Sequence, residues 1–166
     1  MTVLRLRADA WLVAAALVCA AVLISVHVLQ AMGWPPCELC LHEREVFWTG
    51  LAIAVAGRLL AARAPSAARL ACLLLAIVFA AGTVLAAYHA GVEWRWWKGP
   101  TACTASGGGG VTAADIDAVF SGARRLHVVR CDEAAFRVLG LSLAGWNACL
   151  SAALTGLSLF ASRRRP

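Results

Sequence analysis

Four stretches of the chain are apolar and almost free of charge: residues 10–32, 46–62, 70–92 and 138–162. A helix rises 1.5 Å per residue, so about 20 apolar residues cross a hydrocarbon core of about 30 Å. The first, third and fourth stretches meet that length without strain. The second is shorter and carries Arg58, which can snorkel to the membrane surface from near a helix end. Gly33, Pro35 and Pro36 stop the first span, since proline cannot continue the hydrogen-bond ladder and disfavours helix in the residue before it. Arg63, Pro65, Ser66 and Arg69 read as a short basic hairpin between the second and third spans. Residues 33–45 and 93–137 are the two remaining loops. The longer one mixes charge, glycine and tryptophan and has little capacity for a core of its own. Its glycine run at 107–110 predicts a flexible segment. Residues 112–122 predict a short helix whose Ile116, Val119 and Phe120 share one face and rest on the membrane surface. The expected fold is therefore all-α: a single integral membrane four-helix bundle over residues 1–166, with a long extracytoplasmic loop containing a short interfacial helix.

Composition sharpens this. The 166 residues are 61% hydrophobic and only 14% charged, whereas an ordinary soluble domain is about 25% charged. A net charge of +6 invites comparison with nucleic-acid binders, but the arginines stand at the ends of apolar runs and form no basic stripe with interleaved aromatics. They read instead as topology signals, and no nucleic-acid partner is expected. Arg5, Arg7, Arg58, Arg63, Arg69 and Arg163 to Arg165 all fall on one side of the predicted spans. By the positive-inside rule that side is cytoplasmic, so both termini are inside and both cysteine-bearing loops outside. Trp34, Trp94, Trp96 and Trp97 then gather at the outer lipid interface, as an aromatic belt does. The first apolar run is too long for a cleavable signal peptide and lacks a small-residue cleavage site.

Seven cysteines divide by place into four and three. Cys19, Cys72 and Cys149 lie within spans, where cysteine acts as a small hydrophobe. Cys37, Cys40, Cys103 and Cys131 lie on the oxidising face. Cys37 and Cys40 are separated by two residues, where one apolar run has ended and another is about to begin. A thiol near a helix N-terminus with a cation close by has a depressed pKa, which suits thiol–disulfide exchange. Three readings of the outer four compete: two structural disulfides, a zinc site with His42 or His127 substituting, and a relay between the two pairs. A ribbon-type zinc site wants two tight cysteine pairs, which Cys103 and Cys131 do not supply, so no metal ligand is assigned. A mobile pair beside a fixed pair favours the relay.

The order of Pro36-Cys37-Glu38-Leu39-Cys40, Glu43-Arg44, the run from Tyr88 to Trp94, and Cys131-Asp132 leading to Leu139-Gly140-Leu141 resembles the DsbB family, bacterial disulfide bond formation proteins. The resemblance covers essentially the whole chain. It implies an inner-membrane four-helix bundle that reoxidises a periplasmic thioredoxin-fold, DsbA-like dithiol oxidase and passes two electrons to a membrane quinone, ubiquinone or menaquinone. That route keeps a bacterial periplasm oxidising. By position, the resemblance makes Cys103 the partner of the external cysteine and Cys131 its resolving neighbour. Cys37 exchanges with Cys131, Cys40 is the thiolate that meets the quinone, Arg44 stabilises its negative charge, and His89 lies near the quinone.

The residues allow this. Arg44 follows Cys40 at i,i+4, where its guanidinium can approach the sulfur. Glu43, at i+3, would raise the thiol pKa unless it is turned to water or paired elsewhere. Trp34, Phe47 and Trp48 are candidate walls for a flat quinone pocket. Vitamin K epoxide reductases share the chemistry but carry the quinone-side pair late in the chain, unlike Cys37 and Cys40. From a different class, a non-catalytic membrane protein with structural disulfides or a metal site in its outer loops is the alternative.

Overall fold

The computed structural model describes residues 8–100 and 131–163. Cys103, His127, the expected helix at 112–122 and the arginines Arg5, Arg7, Arg164 and Arg165 lie outside the described residues. The architecture is all-α, with α1 at Ala8–Ala31, α2 at Glu38–Ala61, α3 at Pro65–Glu93 and α4 at Leu143–Arg163. One minimal antiparallel ribbon, β1 (Arg137–Val138) with β2 (Leu141–Ser142), precedes α4. Helices α1, α3 and α4 are long and apolar enough to cross a membrane. The predicted second span lies within α2, whose acidic and basic first turns dilute its apolar character.

The observed ends differ from the apolar runs for local reasons. The second helix begins at Glu38, well before residue 46, because Cys37 caps it: the Cys37 sulfur accepts the Cys40 backbone N–H at 3.2 Å. A capped N-terminus satisfies a donor the helix leaves orphaned and lets it start on polar residues. The third helix begins at Pro65, at a position where proline's missing N–H costs nothing, so the basic hairpin expected there is only a short link after α2. The fourth starts later than residue 138, because Leu139 (φ 52°) and Gly140 (φ 84°) take the two positive-φ positions of a tight hairpin turn. Ser142 then caps α4, its hydroxyl accepting the Gly145 N–H at 3.1 Å.

All four helices contribute to one apolar core, centred on Leu12, Cys19, Cys72, Leu75, Phe79 and Leu154. Cys19 and Cys72 are fully buried there, as small hydrophobes are. Small residues allow α2 and α3 to approach closely. A methyl at Gly50 would meet the Phe79 ring at 2.8 Å, one at Gly82 would meet Val46 at 2.7 Å, and one at Gly57 would collide with Ala71. Close backbone approach of this kind is how helices associate in lipid, where apolar burial alone drives little. Trp11 Nε1 donates to Ser158 Oγ at 3.0 Å and ties α1 to α4.

Gly57→Ala should therefore lower the thermal midpoint in detergent, by a destabilisation of about 1–3 kcal/mol. Gly156→Ala, where the added methyl meets nothing within 4 Å, should stay within about 1 kcal/mol of the parent. Equal shifts in the two variants would show that close α2–α3 approach does not limit stability.

Candidate functional site

The double proline and the Cys37 cap place both sulfurs of the Cys-x-x-Cys motif at the start of α2. Cys37 Sγ and Cys40 Sγ are 2.7 Å apart, so closing a disulfide, whose bond is about 2.05 Å, takes only a small side-chain movement. Cys37 is buried and Cys40 partly so. From α3, His89 reaches the pair: its Nε2 stands 3.6 Å from Cys37 Sγ. The imidazole is 3% exposed and its Nδ1 donates to Glu43 Oε1 at 2.7 Å. That bond commits Nδ1 to Glu43 and leaves Nε2 to face the Cys37 sulfur.

Glu43 is the residue whose placement sequence reasoning left most open. Rather than facing water, it is buried, with its second oxygen accepting from Asn147 Nδ2 of α4 at 2.6 Å, and its charge still opposes the Cys40 thiolate weakly. Asn147 Oδ1 in turn accepts from Ser151 Oγ at 3.3 Å. A polar chain thus links α3, α2 and α4 beneath the sulfurs. Glu93, one turn beyond His89, completes the cluster: its Oε1 is 3.9 Å from His89 Nε2, and its buried Oε2 has no hydrogen-bond partner among the described residues. Neither Glu93 nor Asn147 was singled out from the sequence. Two signals were there to be read: a carboxylate four residues after a histidine at a span end, and a lone amide inside an apolar run.

Arg44 takes a different course from the one its spacing suggests. Its guanidinium turns to α1, with Nη1 donating to Gln30 Oε1 at 2.6 Å and Nη2 to the Val26 carbonyl at 3.3 Å. Both sulfurs remain within its electrostatic reach. Trp48 and Trp34 are exposed apolar surface, and Trp48 meets His27 of α1 edge-on at 6.3 Å. Phe47, considered above as a pocket wall, is instead a core residue packed on Phe79 at 5.8 Å.

The motif stands outside the apolar span, and its two thiols titrate as a pair. Cys40 is lowered to about 7 because the Cys37 thiol donates to its sulfur, with burial opposing and the nearby His89 charge assisting. The same hydrogen bond pushes Cys37 up, and burial adds to the rise. The pair therefore gives its first proton easily and holds the second.

The described ends of the long loop converge on this place. Trp97 folds back over α3, donating from Nε1 to the Tyr88 carbonyl at 2.8 Å and stacking on the Tyr88 ring at 5.9 Å. Gly91 makes room, since a methyl there would run into the Trp97 ring. Cys131 packs against the buried cluster of Cys37, Leu39 and Val92. Three of the four cysteines that lie outside the apolar runs are thus gathered at one end of the helices, while Cys103 lies outside the described residues.

Cys37, Cys40 and His89 each offer a ligand atom, and these lie within 4.8 Å of one another. The arrangement can do two things: exchange a disulfide with a neighbouring thiol, and hold a thiolate next to a base and a cation.

The family model described as disulfide bond formation protein DsbB matches residues 7–161 of the chain. No curated protein and no solved structure matches it.

Alkylation of the reduced protein should modify Cys40 at half its maximal rate near pH 7, with Cys37 lagging to more alkaline pH. Peptide mapping across a pH series reads both. A half-rate for Cys40 in the ordinary thiol range of about 8.5 would remove the proton-sharing pair.

Proposed function

The chain belongs to the DsbB family of disulfide bond formation proteins, and from that premise we propose a thiol:quinone oxidoreductase that reoxidises a periplasmic, thioredoxin-fold DsbA-like dithiol. We take the whole chain as one membrane domain in the bacterial inner membrane, with both termini cytoplasmic and the redox motifs periplasmic. Arg58, Arg63, Arg69 and Arg163 support that orientation, since they lie at the helix ends remote from the Cys37–Cys40 motif.

The observation that carries the reading is the packing of Cys131 against the cluster that contains Cys37, next to a Cys40 thiol lowered to about 7. In the proposed sequence, the partner's dithiol reduces the Cys103–Cys131 disulfide and leaves as a disulfide, its thiolate having attacked Cys103. The Cys131 thiolate then attacks the Cys37 sulfur of the Cys37–Cys40 disulfide. Cys40 departs as the thiolate, and a low-pKa thiol leaves faster. Cys103 next attacks Cys131, which restores the loop disulfide and releases Cys37. Two electrons have moved from the partner to Cys37 and Cys40.

The donor set fits a quinone head group. Cys40, Arg44 and Trp48 follow one another at i+4 along α2, giving a thiolate, a cation and an exposed aromatic surface on one side of the helix. When bound, ubiquinone or menaquinone would supply the oxidant that takes two electrons and two protons from the dithiol. His89 Nε2, facing Cys37 Sγ, accepts the Cys37 proton, and Glu43 at Nδ1 stabilises the imidazolium. Arg44 holds negative charge near Cys40, while its bonds to Gln30 and Val26 anchor the motif to α1.

Purified protein given a reduced thioredoxin-fold dithiol should reduce added quinone, followed by absorbance, and Cys40→Ser should abolish this. Absence of turnover with every quinone and partner, while all four outer cysteines stay unreactive, would reject the oxidase. Arg44→Ala should slow quinone reduction by about 10²-fold, the scale of losing one preorganised charge-stabilising group, and leave partner binding unchanged. Cys103→Ser should block transfer from the partner and leave the Cys37–Cys40 centre intact. Equal loss of both steps in both variants would count against these roles.

A further inference from the structure

Under the paired sulfurs, the structure collects more electron-pair donors than a thiol relay uses. His89 Nδ1 is committed to Glu43 at 2.7 Å, so Nε2 is the ring nitrogen that faces the sulfurs. The Glu93 carboxylate faces that same atom at 3.9 Å, and its other oxygen has no partner among the described residues. Both groups are buried, and the Arg44 guanidinium is turned to α1.

We propose that the reduced Cys37 and Cys40, together with His89, whose ligand atoms lie within 4.8 Å of one another, form a binding site for a thiophilic divalent cation of the zinc type, with the neighbouring Glu93 moving in to supply the fourth ligand, and that this ion competes with disulfide closure for the same two sulfurs. The geometry is close to what such an ion needs. With bonds of about 2.3 Å to sulfur and about 2.1 Å to nitrogen, a tetrahedral centre holds sulfur and nitrogen about 3.6 Å apart. Cys37 Sγ and His89 Nε2 are separated by 3.6 Å. The two sulfurs, now 2.7 Å apart, must separate by about 1 Å, which mutual repulsion of two thiolates favours. Behind the ligands, the bond from His89 Nδ1 to Glu43, itself held by Asn147, is the carboxylate support that orients metal-bound imidazoles.

Binding is not a redox step. The two thiols release protons to solvent, their sulfurs stay at the thiolate level, and the ion keeps its charge. Oxidation removes the site, since a disulfide fixes the sulfurs at about 2.05 Å and leaves them no charge to donate. The same two sulfurs therefore serve either a disulfide or a metal, and a bound ion arrests the protein in its reduced state.

Anaerobic titration of the reduced protein with cobalt(II) in detergent tests this without quinone or partner. The expected result is about one equivalent bound with thiolate-to-cobalt charge transfer and tetrahedral d–d bands, displaced by zinc. The disulfide form of the same polypeptide should give none of these bands. Glu93→Gln and Glu43→Gln should each weaken binding about 10–100-fold, and the Cys103→Ser/Cys131→Ser pair should leave it unchanged. Bands that persist in the oxidised protein, that vanish with the loop cysteines, or that ignore Glu93→Gln would overturn the assignment. Failure here leaves the oxidase reading standing, and failure of quinone reduction leaves the metal site standing.

Discussion

Burial of charge at one end of the helices is the constraint on which the site depends. His89 and Glu43 are almost inaccessible to solvent, and a buried ionisable group left unpaired costs several kcal/mol. Each is satisfied only by a different helix: His89 of α3 by Glu43 of α2, and Glu43 by Asn147 of α4. Sliding any of the three along its neighbours would strand a polar atom. The helices below this point are held by apolar packing and small residues, which tolerate displacement more readily. The polar chain sets the position at which they stop.

That position serves the sulfurs. Pro35 and Pro36 end one helix, and Cys37 begins the next by accepting the Cys40 N–H in its own thiol sulfur. Both cysteines are thus part of a helix start rather than of a free loop, with His89 fixed beside one of them. The consequence is an uneven pair: a Cys40 thiol lowered to about 7 and a Cys37 pushed up by the proton it shares. An attack at Cys37 with departure of Cys40 follows the slope of that asymmetry. Arg44, by gripping Gln30 and the Val26 carbonyl, fixes the motif against α1 while its charge stays within reach.

The long loop is tied down where it leaves and rejoins the helices. Trp97 lies flat on Tyr88 over the bare face of Gly91, and Trp34 meets Phe136 edge-on at 5.6 Å. These contacts deliver Cys131 to the Cys37 cluster. They also make the aromatic residues more than an interfacial belt, since each ring anchors a segment that carries chemistry. The same sulfurs, imidazole and carboxylate are the groups from which the proposed cation site is built.

Much of this was legible in the residues. The apolar runs locate α1, α3 and α4, because span length is a one-dimensional property of the chain. The Cys-x-x-Cys motif after two prolines marks the reactive pair, because local backbone chemistry alone places it at a helix start. Helix ends were less legible, since caps at Cys37 and Ser142 and the turn at Leu139 and Gly140 act through single hydrogen bonds that apolar runs do not record. Pairing was legible least. Spacing along α2 put Arg44 on Cys40 and left Glu43 a threat to the thiolate, yet the fold sends Arg44 to α1 and pairs Glu43 with His89 and Asn147. Those partners stand 46 and 104 positions away, and no periodicity reports a contact at that range. The sequence by itself determined which segments are apolar enough to cross a membrane and where the cysteine motif stands; only the tertiary structure decided which charges meet, because buried His89 and Glu43 each take a partner from another helix.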